Sequence, residues 1–419
     1  MDYVLDQGGH RQAHMIGARA VVTGGQAAFV NGVLAHSLDY DDTHLPSVLH
    51  PSASVVPAAL AAGEHANSTG LAVVRAIAVG LEVTVRLGMA GYDTDLRNSV
   101  FFEHGQHATS ICGAMGGAVA AGLLYGLDVD QLRDTLGIAA SMAAGVIEAN
   151  RTGGTVKRLH CGWAAQSAVA AAQLVQHGFS GPPTVLEGRF GFFEAFLHGR
   201  FDPDQVTGGL GETWAVPGIF FKPYPANHFT HTAIDAGRAA AAAGIQPGDI
   251  SAMTLAVPKA VVRTIGQPLM SKQNPETGYQ AQFSGPYAVV AGLLGGGGLG
   301  VGPDDFTDEL ARDPARRALM AKIDVVSDER CDAIFPFQFP AILTVCTSTG
   351  VRAFEILANR GSPDRPLSDR ELSQKFADNT SGRLPVRLAA QIRETVLALD
   401  AQPGLDELMT LASWHEQVD

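Results

Sequence analysis

Long runs of one charge are missing from this chain. Its 29 Lys and Arg stand against 42 Asp and Glu, a formal net charge of −13 at pH 7, and the cations are nowhere bunched as phosphate neutralisation on a nucleic acid requires. No nucleic-acid partner is expected. Cysteine is scarce: Cys112, Cys161, Cys331 and Cys346 lie far apart, without a CxxC pair, a zinc-ligand spacing or an iron–sulfur array. They read as free thiols in a reducing compartment. The opening Met1-Asp2-Tyr3, followed by Asp6, His10 and Arg11, lacks the basic start and apolar middle of a secretion signal, so a cytoplasmic location is expected. Also missing are a P-loop, a dinucleotide-binding glycine fingerprint and a Gly-x-Ser-x-Gly elbow. The tract Gly295–Gly298 has neither the preceding strand nor the Lys-Ser/Thr pair of a phosphate cradle and reads as a surface turn.

Apolar residues make up 46% of the 419 positions, enough for a sizeable core and too many for disorder over most of the chain. The length predicts two domains, or three, at about 150 residues each. One stretch, Ala108 to Leu127, carries no charge and is long enough to span a bilayer. Its apolar content is mostly Ala, broken by Gly113, Gly116, Gly117, Gly122 and Gly126. Small residues let helices approach closely, so a buried helix is expected rather than a membrane span.

The first half repeats its apolar residues every three or four positions. That spacing predicts helices over Gln26–Ser37, Ser54–Ala66, Leu71–Met89, Ala108–Tyr125, Asp130–Ala143, Ala164–His177 and Phe190–Leu197. The period breaks at Gly218-Ile219-Phe220-Phe221-Lys222-Pro223-Tyr224-Pro225. Beyond it the pattern mixes strand and helix: a strand over Ser251–Val257, helices over Tyr287–Leu294 and Arg316–Lys322, a strand over Ile323–Val326, and a hairpin of Ala341–Thr347 with Val351–Ile356. Ser368 followed by Glu371 forms a capping box, and Pro385–Leu399 reads as another helix. The expected organisation is a helical domain over residues 1–215, an α+β domain over 216–362, and C-terminal helices over 363–419 that return to the first domain.

Four polar clusters interrupt this apolar background. His36-Ser37-Leu38-Asp39-Tyr40-Asp41-Asp42-Thr43-His44, then His50, crowds carboxylates among imidazoles. That is costly unless something compensates them. A metal site, a general acid/base site and a capped polar loop all fit; the glycine and terminal Glu of a calcium loop are absent, which makes the metal the weaker option. The second cluster, Glu103-His104-Gly105-Gln106-His107, stands before the uncharged helix, whose N-terminal dipole disfavours a protonated imidazole. In the third, Arg151, Lys157 and Arg158 gather near His160, a cationic patch suited to an anionic small molecule. The fourth runs from Lys222 through His228 to His231 at the expected domain junction. Histidines, carboxylates and cations together suit proton abstraction beside a carboxylate, the step shared by elimination, decarboxylation and epimerisation.

Asn31-Gly32 with Ala35 to His44, then His50-Pro51-Ser52, resembles the signature of the MmgE/PrpD family, whose members are dehydratases, decarboxylases and epimerases of small polycarboxylates. The likeness continues through His107–Gly113, Lys157–Gly162, Lys222–Asp235 and Gln282–Tyr287, covering nearly the whole chain. It implies a mainly α protein, with a large all-helical domain and a smaller α+β lid domain, a site between them that needs no cofactor or metal, and a homodimer. Members of that family begin one or two helices earlier, so a helical layer is expected to be incomplete here. By motif position the resemblance makes Asp39, His50, His107 and Lys157 catalytic. His107 or His50 would be the base, Lys157 would hold a substrate carboxylate, and Asp39 would orient an imidazole or act as an acid. Asp42, Thr43, Arg158, Lys222, His228 and His231 would bind substrate.

Decarboxylases of the family carry a histidine where Asn227 stands, which His228 replaces only with a one-residue shift, and a tyrosine where Val262 falls. The resemblance therefore implies a lyase of the dehydratase type acting on a citrate-like di- or tricarboxylate. An epimerase, a decarboxylase and an inactive carboxylate-binding relative are the alternatives.

Overall fold

A computed structural model describes residues 1–149 and 154–414. Arg151, Thr152 and Gly153 of the third polar cluster lie outside the described residues. Contacts divide the chain into two units: one of Met1–Ser37, Asp41–Ile219 and the chain from Thr380 on, the other of Leu38–Tyr40 and Phe220–Asn379. The sequence put the changes at 216 and 363; the contacts put them at Phe220 and Thr380.

The first unit contains α1 (Gly24–Ala35), α2 (Ser52–His65), α3 (Gly70–Ala90), α4 (Ala108–Leu124), α5 (Val129–Met142), α6 (Val156–Gln176) and α7 (Phe192–Leu197); shorter helical turns are left unlabelled. Several starts are written locally. Thr23 with Gln26 and Asp128 with Gln131 form reciprocal capping boxes, and the Thr69 hydroxyl accepts from the Ala72 N–H. The sequence began α6 at Ala164 because Lys157, Arg158 and His160 break its apolar period; the helix starts at Val156.

Every residue of α4 except Leu123 is buried, and among the described residues no helix is long and apolar enough to cross a membrane. Glycine makes this burial possible. At the α3–α4 crossing a Cβ on Gly116 would stand 2.2 Å from the Gly80 carbonyl oxygen. At the α1–α6 crossing a Cβ on Gly32 would stand 2.8 Å from the Gly162 Cα. The helices meet backbone to backbone, closer than side chains allow. A buried ion pair straps the chain that follows α7: Arg86 donates to Glu82 at 2.6 Å and to the carbonyls of Val206, Gly208 and Thr213, while Glu82 accepts from the Ala215 N–H.

The second unit contains α8 (His231–Ala242), β1 (Ile250–Val257), α9 (Gly285–Leu294), α10 (Pro314–Met320), β2 (Ile323–Ser327), β3 (Ala341–Thr347), β4 (Gly350–Ile356) and α11 (Asp369–Thr380). The sheet order is β2-β1-β3-β4. β1 pairs parallel with β2, Met253 facing Ile323, and antiparallel with β3, Thr254 facing Thr344. β3 and β4 form the expected hairpin. Central β1 buries four residues in succession at its end except for a half-buried Thr254, whereas edge strand β4 is mostly exposed, as strand position requires. The box of Ser368 and Glu371 opens α11 as read, with hydrogen bonds in both directions. The later helix α12 (Val386–Leu397) belongs to the first unit.

Candidate active site

In the helical unit three stretches converge: the turn after α1, the residue before α4 and the first turns of α6. His36 caps α1 one turn past Gly32, so the glycine crossing delivers its ring against the start of α6. Its Nδ1 lies 2.6 Å from an Asp41 carboxylate oxygen. The His50 ring centroid is 5.0 Å from that of His36, and the His107 centroid 6.1 Å. His107 in turn meets His160, with their Nδ1 atoms 3.0 Å apart. Lys157 is buried one turn before His160, and its charge acts on His36, His107 and His160 alike.

These imidazoles differ in charge. Burial alone would lower the pKa of His36, but the Asp41 carboxylate outweighs it, with Cys161 adding and Lys157 opposing, and the value rises to about 10. His36 is an imidazolium at neutral pH. His107 is driven the other way, well below the ordinary histidine value, first by burial and then by the charges of His36 and Lys157. The sequence expected a neutral His107 on account of the helix dipole; burial is the larger cause. His160 is lowered by the same two influences. His50 Nδ1 lies 2.7 Å from the Asp42 carbonyl oxygen, which only accepts. Nδ1 therefore carries a proton and donates it to that carbonyl.

Of the expected residues, His50, His107 and Lys157 come together here, and Thr43 joins them through its hydroxyl, 3.2 Å from His50 Nδ1. Asp42 accepts from the hydroxyl and N–H of Ser52 at 2.5 and 3.2 Å, holding the start of α2. Arg158 lies half-buried about 100° round α6 from Lys157, on a different face from the histidines. The sequence passed over His36 and His160 as site residues. The available signals were the carboxylate five positions after His36 and the helical spacing of Lys157, His160 and Ala164, all buried.

The other expected residues cluster in the second unit. Asp39, in left-handed backbone at φ +51°, accepts from Lys222 Nζ through its carboxylate at 2.5 Å and its carbonyl at 2.9 Å. Lys222 is fully buried. Such backbone on a non-glycine residue persists only where its surroundings hold it. Asp39 thus accepts from an ammonium, and its charge also acts on the His231 imidazole; Asp41 holds the His36 imidazole. The rings of His228 and His231 lie 4.4 Å apart, and burial, then the Lys222 charge, push His231 down to about 3. Tyr224 donates to Asp235 at 2.5 Å and accepts from Arg238 at 2.8 Å. Asn227 accepts from the Phe229 N–H at 3.0 Å, capping the short turn that carries His228.

Residues 1–204 match the MmgE/PrpD N-terminal domain and residues 224–401 the MmgE/PrpD C-terminal domain. The chain belongs to the MmgE/PrpD family. It is 30% identical over 404 residues to a Homo sapiens cis-aconitate decarboxylase, covering 92% of this chain and 78% of that protein. A cis-aconitate decarboxylase of Aspergillus terreus is 34% identical over 221 residues, where the match spans 50% of this chain and less than half of the relative, 44%. A mitochondrial 2-methylcitrate dehydratase of Yarrowia lipolytica is 27% identical over 313 residues, 69% of this chain and 57% of that protein.

Proposed function

We propose that this chain is a lyase of the dehydratase type acting on a citrate-like di- or tricarboxylate, with no resident cofactor. The observation that carries the reading is the opposition of charge states in one buried cluster, where neutral His107 stands beside cationic His36 and Lys157, with the His50 ring 5.0 Å from that of His36. A neutral imidazole can take a proton from the carbon beside a carboxylate, and adjacent cations stabilise the charge that spreads onto its oxygens. His107 or His50 is the base, His107 being held neutral by its burial. The C–H electron pair becomes the new C=C bond, and the hydroxyl on the neighbouring carbon departs as water with a proton returned from the imidazole cluster. Lys157 holds a carboxylate of the substrate.

Decarboxylation is the second reading, favoured by the relatives that bear that name. Against it stands Asn227, which serves as a cap and cannot supply the proton a histidine would. The two are separated by an NMR time course in deuterated water with citrate, 2-methylcitrate, cis-aconitate and substituted succinates, chelator present. Loss of water is the expected outcome. Carbon dioxide release would replace the dehydratase by the decarboxylase, and deuterium exchange alone would replace both by an epimerase.

A further inference from the structure

Within the helical unit's cluster, the second ring nitrogen of His36 has no hydrogen-bond partner among the described residues although the side chain is 1% exposed. Its first nitrogen is committed to Asp41 at 2.6 Å. A buried donor without an acceptor costs about 1–3 kcal/mol, more when the group is charged, and native structures rarely leave one unexplained. The ring stands among His50, His107, Lys157 and Cys161. None of these is a carboxylate: two are imidazoles, one a second cation that opposes His36, and one a buried thiol. An anion arriving at this place would accept the orphan proton and relieve the repulsion between the two cations.

We infer that His36 is a substrate-binding residue whose Nε2–H receives a carboxylate oxygen, with Lys157 as the second cation and Asp41 as the positioning residue behind the ring. This deepens the proposed lyase function and rests on it for the substrate class. Neither His36 nor Asp41 follows from the spacing of acid/base residues alone; the pairing with one ring nitrogen and the vacancy at the other select them. The division of labour is physical. Asp41 fixes both the ring plane and its charge, so the donor is set before the ligand arrives and need not be organised on binding. Within the helical unit the titratable groups facing His36 are Asp41 from its own turn, His50 from the following loop, His107 before α4, and Lys157 and Cys161 from α6. With its pKa raised to about 10, the anchor stays cationic over the neutral range.

The test uses the full chain with propane-1,2,3-tricarboxylate, which has neither a hydroxyl nor a double bond to lose. Wild-type protein is expected to bind it, and the imidazole ¹⁵N resonances of His36 should show both nitrogens protonated at pH 8, with Nε2 moving on binding. His36→Gln should weaken binding by about tenfold to a hundredfold, the range for hydrogen bonds to charged groups, and raise KM more than it lowers kcat. Asp41→Asn removes the charge that outweighs burial, so His36 should lose its proton below the ordinary histidine value of about 6.5, and affinity should be low between pH 6 and pH 9 and recover only on further acidification; a merely structural carboxylate would leave the wild-type pH profile in place.

Turnover of the polycarboxylate panel separates the failures. Turnover by wild type with an unmoved Nε2 resonance, or with unchanged probe affinity in His36→Gln, overturns the anchor and leaves the lyase standing. Binding through His36 without turnover of any compound keeps the anchor and overturns the lyase. Neither binding nor turnover overturns both. The wild-type resonances decide the matter even if His36→Gln fails to fold.

Discussion

Two buried carboxylates, Asp39 and Asp41, stand two residues apart and serve different units. Asp41 holds an imidazole in the helical unit, at 2.6 Å from His36, and Asp39 holds an ammonium in the α+β unit, at 2.5 Å from Lys222. In the first the carboxylate raises a histidine to about 10. In the second the cation is lysine, and the nearby histidine, His231, is pushed down to about 3 by burial and by that lysine. Burial lowers both histidines; it is overcome at His36 by the Asp41 carboxylate and reinforced at His231 by the Lys222 charge. The His-rich composition of both clusters says nothing of this.

The strongest way to break the comparison is to remove one cation. Lys222→Met leaves the Asp39 carboxylate buried without its ammonium, and a loss of about 3–5 kcal/mol in unfolding free energy by urea denaturation is expected. Adding Asp39→Asn to that variant should recover part of the loss, since no buried charge then remains. A single variant within 1 kcal/mol of wild type would show that Asp39 and Lys222 are solvated in solution. Next in size is Gly162→Ala on α6. Its Cβ would stand 2.4 Å from the Phe29 carbonyl oxygen, so α1 must shift, costing about 1–3 kcal/mol and moving His36 against Lys157. Stability and turnover should fall together, and turnover unchanged would separate the helix crossing from the cluster.

The pH dependence sharpens the contrast. His36 is protonated up to about pH 10 in the fold and to 6.5 in the unfolded chain, so its contribution to stability is complete below pH 6.5 and is lost as pH rises toward 10. His231 and His44 remain neutral in the fold down to about 3 and about 4, so the unfolded chain binds more protons below pH 6.5 and stability falls on acidification through that window. Urea midpoints across pH 4–10 should decline at both ends, and Asp41→Asn should abolish the alkaline decline alone. Ser368→Ala should have the smallest effect. It removes the α11 cap for about 1 kcal/mol and should leave probe binding in the histidine cluster unchanged.

Much of the fold was legible. The three- and four-residue apolar period located α1 to α5 within two residues at most ends, because amphipathic and buried helices write their faces into sequence. It failed at the start of α6, where buried Lys157 and His160 look like surface residues until partners across the cluster are known. Strand β1 and the β3–β4 hairpin were read from alternation and the Ser348-Thr349-Gly350 turn. The candidate site was legible as chemistry and not as geometry. His50, His107 and Lys157 stood in polar motifs; His160 was passed over because its partner, Nδ1 of His107, lies 53 positions away, and His36 because the buried contact with Asp41 that sets its charge forms only when the turn after α1 is folded.

The sequence by itself determined the family, the helix starts with their capping pairs, the glycine-rich buried helix and the types of group available for chemistry. These depend on local backbone hydrogen bonds and on periodicity, which act over a few residues. Only the tertiary structure decided that Asp41 takes His36 while Asp39 takes Lys222, that His50 turns Nδ1 to the Asp42 carbonyl, and which imidazole is charged. Charge state and tautomer follow from burial and from the distance to other charges, and those distances are set by chain segments that meet only after folding.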